Sequence, residues 1–293
     1  MFINELEKLL RQEIHKIPRP FGIFLSGGLD SGLLAALSKP NFALHCTFQL
    51  GEKYDESWYA QKIASYLKIP LTIIKPQQET FKDELVKGIK IIGKVINSVS
   101  IVPWYNAMKW AKGKTMILGE GGDELFGGYA RYLILKHIFE LYGKPELQNY
   151  CPMLDSAFKG LHSKLVGIEL PDSKNIQEVM DIEYSQTLPD IIYMENKLAE
   201  YFGVKLYRPF MSKNIREFAN KLPMEFKIKN STTKWIVRKL AKKYLPKEII
   251  ERKQKMGFVA PINLWMGWMD KGEFNKEKYL AFQNEIINNS NSI

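Results

Sequence analysis

The first apolar positions, Leu6, Leu9, Leu10 and Ile14, recur at helical spacing, and Pro18 and Pro20 close the segment, so an N-terminal helix is expected within residues 1–20. The uninterrupted apolar run Phe21–Leu25 then reads as a buried strand that ends in a glycine turn. Beyond the turn, the pattern predicts a helix over Asp30–Leu37, a strand over Phe42–Leu50, a helix over Glu56–Leu67 and a strand over Leu71–Ile74. Helices over Phe81–Val95 and Trp104–Ala111 follow, and the short run Met116–Leu118 reads as a strand that enters a second glycine-rich turn. Strands alternating with helices specify a parallel sheet with crossover helices, and ligands of such sheets bind outside the carboxyl ends of the strands. Both glycine turns should therefore face one crevice.

From about residue 130 strand signals become rare and helical periodicity dominates, interrupted near Gly143–Pro152 and at Pro171. The expected fold class is α/β: a parallel sheet with flanking helices, followed by a mostly helical C-terminal half. No linker composition separates the two, so residues 1–293 are read as a single domain. It comprises an N-terminal helix (1–20), an α/β core (21–135), a mainly helical part (136–270) and a tail (271–293). The Asn/Ser-rich end, 284–293, is expected to fray.

Composition narrows the class. With 293 residues, 45% hydrophobic and 25% charged, the chain can bury a substantial core. No apolar run reaches the eighteen residues of a membrane span, and the N-terminus mixes charge with apolar residues, which leads us to expect a soluble, cytoplasmic protein without a membrane partner. Cys46 and Cys151 are far apart and fit no metal-ligand spacing, so both are read as packing residues. The net charge of +10 is concentrated in residues 227–255, which carry eleven Lys or Arg against Glu248 and Glu251. Such a block suits nucleotide phosphates or RNA, or else forms a solvated helix face.

Two clusters carry chemistry. Ser26-Gly27-Gly28-Leu29-Asp30-Ser31 lies between a strand and a helix, where backbone N–H groups and the helix dipole form an anion site. Its glycines admit a close phosphate, Ser26 and Ser31 can donate further hydrogen bonds, and Asp30 offers a hard oxygen to magnesium. The second cluster, Gly119-Glu120-Gly121-Gly122-Asp123-Glu124-Leu125-Phe126-Gly127-Gly128-Tyr129, crowds three carboxylates into five residues. They would repel one another without a counter-charge, so magnesium, a lysine or an amine substrate is expected there. Asp30 and Asp123 could share a metal across the crevice.

Together, SGGLDS and GEGGDELFGGY resemble the signature pair of the asparagine synthetase family, within the wider PP-loop ATP-pyrophosphatase group, whose fold is adenine-nucleotide-hydrolase-like. Lys255-Met256-Gly257-Phe258, with Pro261 and Trp265, is similar to the family's closing segment, so three separated motifs occur in the family's order. The resemblance implies an AMP-forming carbon–nitrogen ligase. A carboxylate, foremost the aspartate side chain, attacks the α-phosphate of MgATP, pyrophosphate leaves, and ammonia displaces AMP from the acyl-adenylate. By the same matching, Lys255 stabilises charge on the α-phosphate, Glu120 serves adenylate formation, and Asp123 and Glu124 form the next acidic pair. Leu25, Leu50, Leu118 and Gly119 are implied to line the adenosine pocket beside the phosphate loop.

The chain also departs from the family. Members with glutaminase activity carry a nucleophilic cysteine as second residue of an N-terminal domain, whereas here Phe2 stands second and the phosphate loop arrives by residue 26. The expectation is a ligase fed by free ammonia or by a separate glutaminase subunit, with a homo-oligomer the other partner considered. The KLYRPF step at 205–210 blurs the family's usual acidic and arginine residues, which leaves the acceptor open, including cyclising and peptide-tailoring chemistry. An RNA-modifying protein and a non-catalytic nucleotide-binding subunit are the remaining alternatives. Nucleic acid is the less favoured partner.

Overall fold

In the computed structural model, residues 1–51, 55–142, 175–252, 260–270 and 273–290 are described. The expected alternation of strands and helices is present. Helix α1 (Phe2–His15) leads into β1 (Gly22–Phe24), α2 (Leu29–Ser38), β2 (Phe42–Cys46), α3 (Ser57–Leu67) and β3 (Leu71–Ile74). Then come α4 (Gln78–Ile92), α5 (Ile101–Trp110), β4 (Thr115–Ile117), α6 (Gly122–Phe126) and α7 (Ala130–Tyr142). The second strand stops at Cys46 rather than Leu50, because Gln49 adopts a left-handed backbone, φ 52°, that no strand sustains.

The sheet gains a fifth strand, β5 (Lys205–Tyr207), in the stretch expected to be helical. Its residues are exposed or half-buried, so the short polar-apolar segment gives little strand signal. Strand order is β3-β2-β1-β4-β5 and every pair is parallel, with Ile23 opposite both Ala43 and Ile117, and Met116 opposite Leu206. The chain winds outward from β1 in one direction and then from β4 in the other, so the order reverses between these two adjacent strands. A ligand crevice forms at such a switch point, outside the carboxyl ends. Both glycine clusters follow directly on those two strands.

Side-chain alternation splits the sheet between two cores. Ile23, Ala43 and Ile117 pack with Leu6, Leu10, Leu33, Val237 and Leu240 on one face. Leu44, Cys46 and Met116 pack with Leu85, Ile89, Met108, Leu198 and Tyr279 on the other. Cys46 is free and buried, and burial pushes its thiol pKa up, so it packs as a small hydrophobe; Cys151 lies outside the described residues, as do the interruptions near 143–152 and 171. Of the Asn/Ser-rich end expected to fray, the residues up to Ser290 belong to a helix, Lys276–Ser290, and 291–293 lie outside the described residues. Tyr279, Gln283 and Ile286 share its buried face, and the Gln283 amide bonds both the N–H and the C=O of Ile96 at 2.9 and 3.0 Å. Among the described residues, no helix is long and apolar enough to cross a membrane.

Candidate active site

The phosphate loop joins β1 to α2 in a tight turn. Gly27 has φ +75°, and a β-carbon there would lie 2.8 Å from Tyr59 Cβ and 2.9 Å from the Ala60 nitrogen, so no other residue fits. The loop's hydroxyls are turned onto its own backbone. Ser26 and Ser31 bond each other at 3.0 Å, the Gly28 N–H donates to Ser26 Oγ at 3.3 Å, and the Ser26 N–H donates to Ser31 Oγ at 3.2 Å. Asp30, in the first turn of α2, is buried.

The second cluster meets this loop across the β1–β4 boundary. A β-carbon on Gly122 would stand 2.8 Å from Asp30 Cγ, and one on Gly119 would stand 3.3 Å from the Ser31 nitrogen. Asp30 and Asp123 converge on a third residue, Lys234, which precedes the helix Trp235–Ala241. Its ammonium contacts Asp30 Oδ2 and lies 2.7 Å from Asp123 Oδ1, with both the lysine and Asp30 side chains under one-tenth exposed. Of the counter-charges expected for the crowded carboxylates, the chain itself supplies a lysine. Lys234 carries no signal of its own in the sequence, where it is one lysine inside the basic block.

The other two acidic residues have different surroundings. Glu124 is buried; burial, and then the charge of Asp123, push its pKa up to about 7, while the Tyr129 hydroxyl donates to it at 2.6 Å. Glu120 is half-buried beside Glu195, a fully buried residue of the helix Leu188–Phe202. Burial first, then the charge of Glu120, holds Glu195 well above the carboxylate range. Arg208 opposes this by donating to Glu195 Oε2 at 2.7 Å. Glu195 and Arg208 were not singled out from the sequence: nothing in their spacing announces a pair brought together across β5.

The basic stretch is not one solvated face. Lys227 is fully buried and donates to Gln177 Oε1 at 2.7 Å, and Lys229 and Lys239 flank the Trp235 ring at 5.2 and 5.1 Å. Arg238 donates to the carbonyls of Thr233, Ile250 and Arg252. Arg252 pairs with Glu56, stacks over Tyr59 at 3.8 Å, and donates to the Gly27 carbonyl at 3.2 Å.

Lys255 lies outside the described residues, as does the rest of 253–259, but both flanks are fixed near the strand ends. Arg252 holds the phosphate loop on one side, and on the other Trp265 packs edge-on against Phe48 and Phe81 at 5.2 and 5.1 Å. Of the leucines implied for an adenosine pocket, Leu25 and Leu118 are buried in opposite cores and extend the sheet ladder, whereas Leu50 is exposed. Gly119 sits against the loop as described.

The donor set suits magnesium carried by a nucleotide. Among the described residues no group of three or more His, Cys, Asp or Glu could cage a metal. Two carboxylates at a phosphate loop match an ion that takes one or two protein oxygens and fills its remaining positions with phosphates and water.

Comparison with known proteins agrees with this arrangement. The family model described as asparagine synthase matches residues 5–278. The chain is 27% identical to asparagine synthetase [glutamine-hydrolyzing] 1 of Bacillus subtilis, an alignment covering 88% of this chain and 48% of the relative. It is 29% identical to a putative asparagine synthetase [glutamine-hydrolyzing] 1 of Methanocaldococcus jannaschii, over 85% and 48%. Against the nodule asparagine synthetase [glutamine-hydrolyzing] of Pisum sativum, identity is 26% over 86% and 40%. The chain thus spans about half the length of these curated relatives. With its two glycine clusters set at the switch point of a PP-loop ATP-pyrophosphatase sheet and the family model running through nearly its whole length, this chain belongs to the asparagine synthase family.

Proposed function

We propose that this chain is an ATP-dependent amide-forming ligase that adenylates a carboxylate, foremost the side chain of aspartate, and lets ammonia displace AMP. The observation that carries the reading is the meeting of Asp30 and Asp123, one from each glycine cluster, at the carboxyl ends of β1 and β4. In-line attack on an α-phosphate needs the phosphates held and their charge neutralised. The Gly27–Gly28 turn and the start of α2 present N–H groups to the nucleotide, and the Ser26 and Ser31 hydroxyls exchange their internal bonds for bonds to phosphate oxygens. Asp30 and Asp123 would hold magnesium together with the nucleotide, which would supply further neutralisation of phosphate charge.

Glu120 is assigned to adenylate formation, at a crevice wall where its charge helps to hold the buried Glu195 above the carboxylate range. Lys255 is assigned to the charge developing on the α-phosphate; the anchoring of Arg252 on the Gly27 carbonyl supports its delivery to the loop. Leu25, Leu118, Leu50 and Gly119 are assigned to the adenosine. Ammonia reaches the adenylate from solution or from a glutaminase. The RNA-modifying alternative loses support because Lys227, Lys234, Arg238 and Arg252 of the basic stretch are engaged within the protein.

The test is a pyrophosphate-release screen with ATP, ammonium and a panel of carboxylates. Release with AMP that depends on both ammonium and aspartate is expected. No AMP at any ammonium concentration, with any carboxylate, would sink the proposal.

A further inference from the structure

The Lys234 ammonium touches one oxygen of Asp30 and lies 2.7 Å from one oxygen of Asp123. A magnesium ion bridging those carboxylates would bind each at about 2.0–2.1 Å. Two cations cannot share that gap. We infer that Lys234 occupies the seat of the divalent ion while no nucleotide is bound, so that metal binding at Asp30 and Asp123 depends on ATP. The inference deepens the proposed function, resting on its assignment of these two carboxylates to the metal.

The seat is built around this side chain. Lys234 is the residue before the helix Trp235–Ala241 and takes a left-handed backbone, φ 51°, which a non-glycine residue adopts only where its surroundings hold it. The Arg238 N–H donates to the Lys234 carbonyl at 2.8 Å, and Ile236, Val237, Leu240 and Ala241 bury the helix in the core. On the opposite side, a β-carbon on Gly128 would overlap both Lys234 Cε and Asp123 Oδ1, so the turn closing the second glycine cluster leaves room for the lysine stem only by lacking a side chain. Lys234 is 6% exposed and Asp30 7%, so water screens the contact weakly.

The charges make the seat conditional. Two carboxylates and one ammonium carry a net charge of about −1. A divalent ion arriving alone must expel a buried ammonium with nowhere to go, and it leaves a second cation in the same pocket. A triphosphate arriving with the metal brings its own negative charge, and the flexible four-carbon stem lets the ammonium move to phosphate oxygens as the metal takes the carboxylates. Lys234 is therefore a positioning residue, acting on the carboxylates before nucleotide arrives.

Mn2+ in place of magnesium, read by the loss of its free-ion electron paramagnetic resonance signal, tests this on the whole chain. In the wild type, Mn2+ alone is expected to bind at least tenfold more weakly than in Lys234→Met, and α,β-methylene-ATP should restore tight binding beyond what the nucleotide holds by itself. Lys234→Arg, which keeps a cation in the seat, should bind Mn2+ alone as weakly as the wild type. Equal affinity for Mn2+ alone in wild type and a folded Lys234→Met, checked by circular dichroism, overturns the inference. Should Lys234→Met fail to fold, the wild type decides: Mn2+ affinity at the protein indifferent to the nucleotide analogue overturns it equally. Nucleotide-dependent Mn2+ binding in a protein that releases no pyrophosphate would support the inference while sinking the proposed reaction.

Discussion

Glu195 and Arg208 show at the level of single residues how the crevice wall was assembled from parts that carry no motif. Glu195 is fully buried and Arg208 nearly so, at 2.7 Å. Removing the arginine takes a hydrogen-bond partner from a buried acid that burial already keeps protonated, so Arg208→Met should cost about 1–3 kcal/mol in urea denaturation, the range for a buried polar group left unsatisfied. Adding Glu195→Leu to that variant should recover part of the loss; a double variant as unstable as the single one would contradict the pairing. Lys227 offers a pH test. Burial pushes its pKa down to about 8, with the charge of Asp181 pulling the other way. A lysine whose folded pKa is depressed favours folding above its unfolded pKa and loses that contribution as pH falls through the folded value. Relative to Lys227→Met, the wild type should therefore gain stability as pH rises from about 8 toward 10.4, the window between the folded value and the ordinary lysine pKa; urea midpoints at pH 7.5, 8.5 and 9.5 check it. For Lys255, loss of the side chain should abolish pyrophosphate release and leave ATP binding largely intact. Near-normal release by Lys255→Ala would show that another cation carries the α-phosphate charge.

Residue-scale chemistry was legible where glycines and carboxylates are adjacent in sequence, as in 26–31 and 119–129. It was illegible where contact depends on the fold. Lys234 and Arg252 read as two charges among eleven, yet one lies between Asp30 and Asp123 and the other on the Gly27 carbonyl. A clue was present in Thr232-Thr233-Lys234-Trp235: a lysine directly ahead of an apolar helix start sits where a solvated charge gains nothing.

Among the elements, β1 to β4 could be read because each is a short apolar run bounded by turn residues. Strand β5 could not, since Lys205-Leu206-Tyr207 is an edge strand whose polar residue faces water. The C-terminal helix was hidden by Asn and Ser on its exposed face, while Tyr279, Gln283 and Ile286 held the buried one. Helix α1 gives the element-scale prediction. Leu6 and Leu10 are fully buried, and α1 packs on the helix Trp235–Ala241 that positions Lys234. Leu10→Ala should cost about 2–5 kcal/mol of stability by leaving a cavity. Differential scanning calorimetry should show the loss as a lower melting temperature. An unchanged melting temperature would mean that α1 does not brace that helix.

The whole molecule places two chemically distinct turns side by side by reversing the winding of one sheet between β1 and β4, and the crevice follows from that topology. The central claim is that a carboxylate oxygen attacks the α-phosphate, and isotope transfer reads that bond directly. With ATP, ammonium and aspartate labelled with 18O in its side-chain carboxylate, the account predicts AMP carrying one labelled oxygen per turnover, seen by mass spectrometry alongside pyrophosphate and asparagine. Unlabelled AMP, or ADP and labelled phosphate in its place, would contradict it.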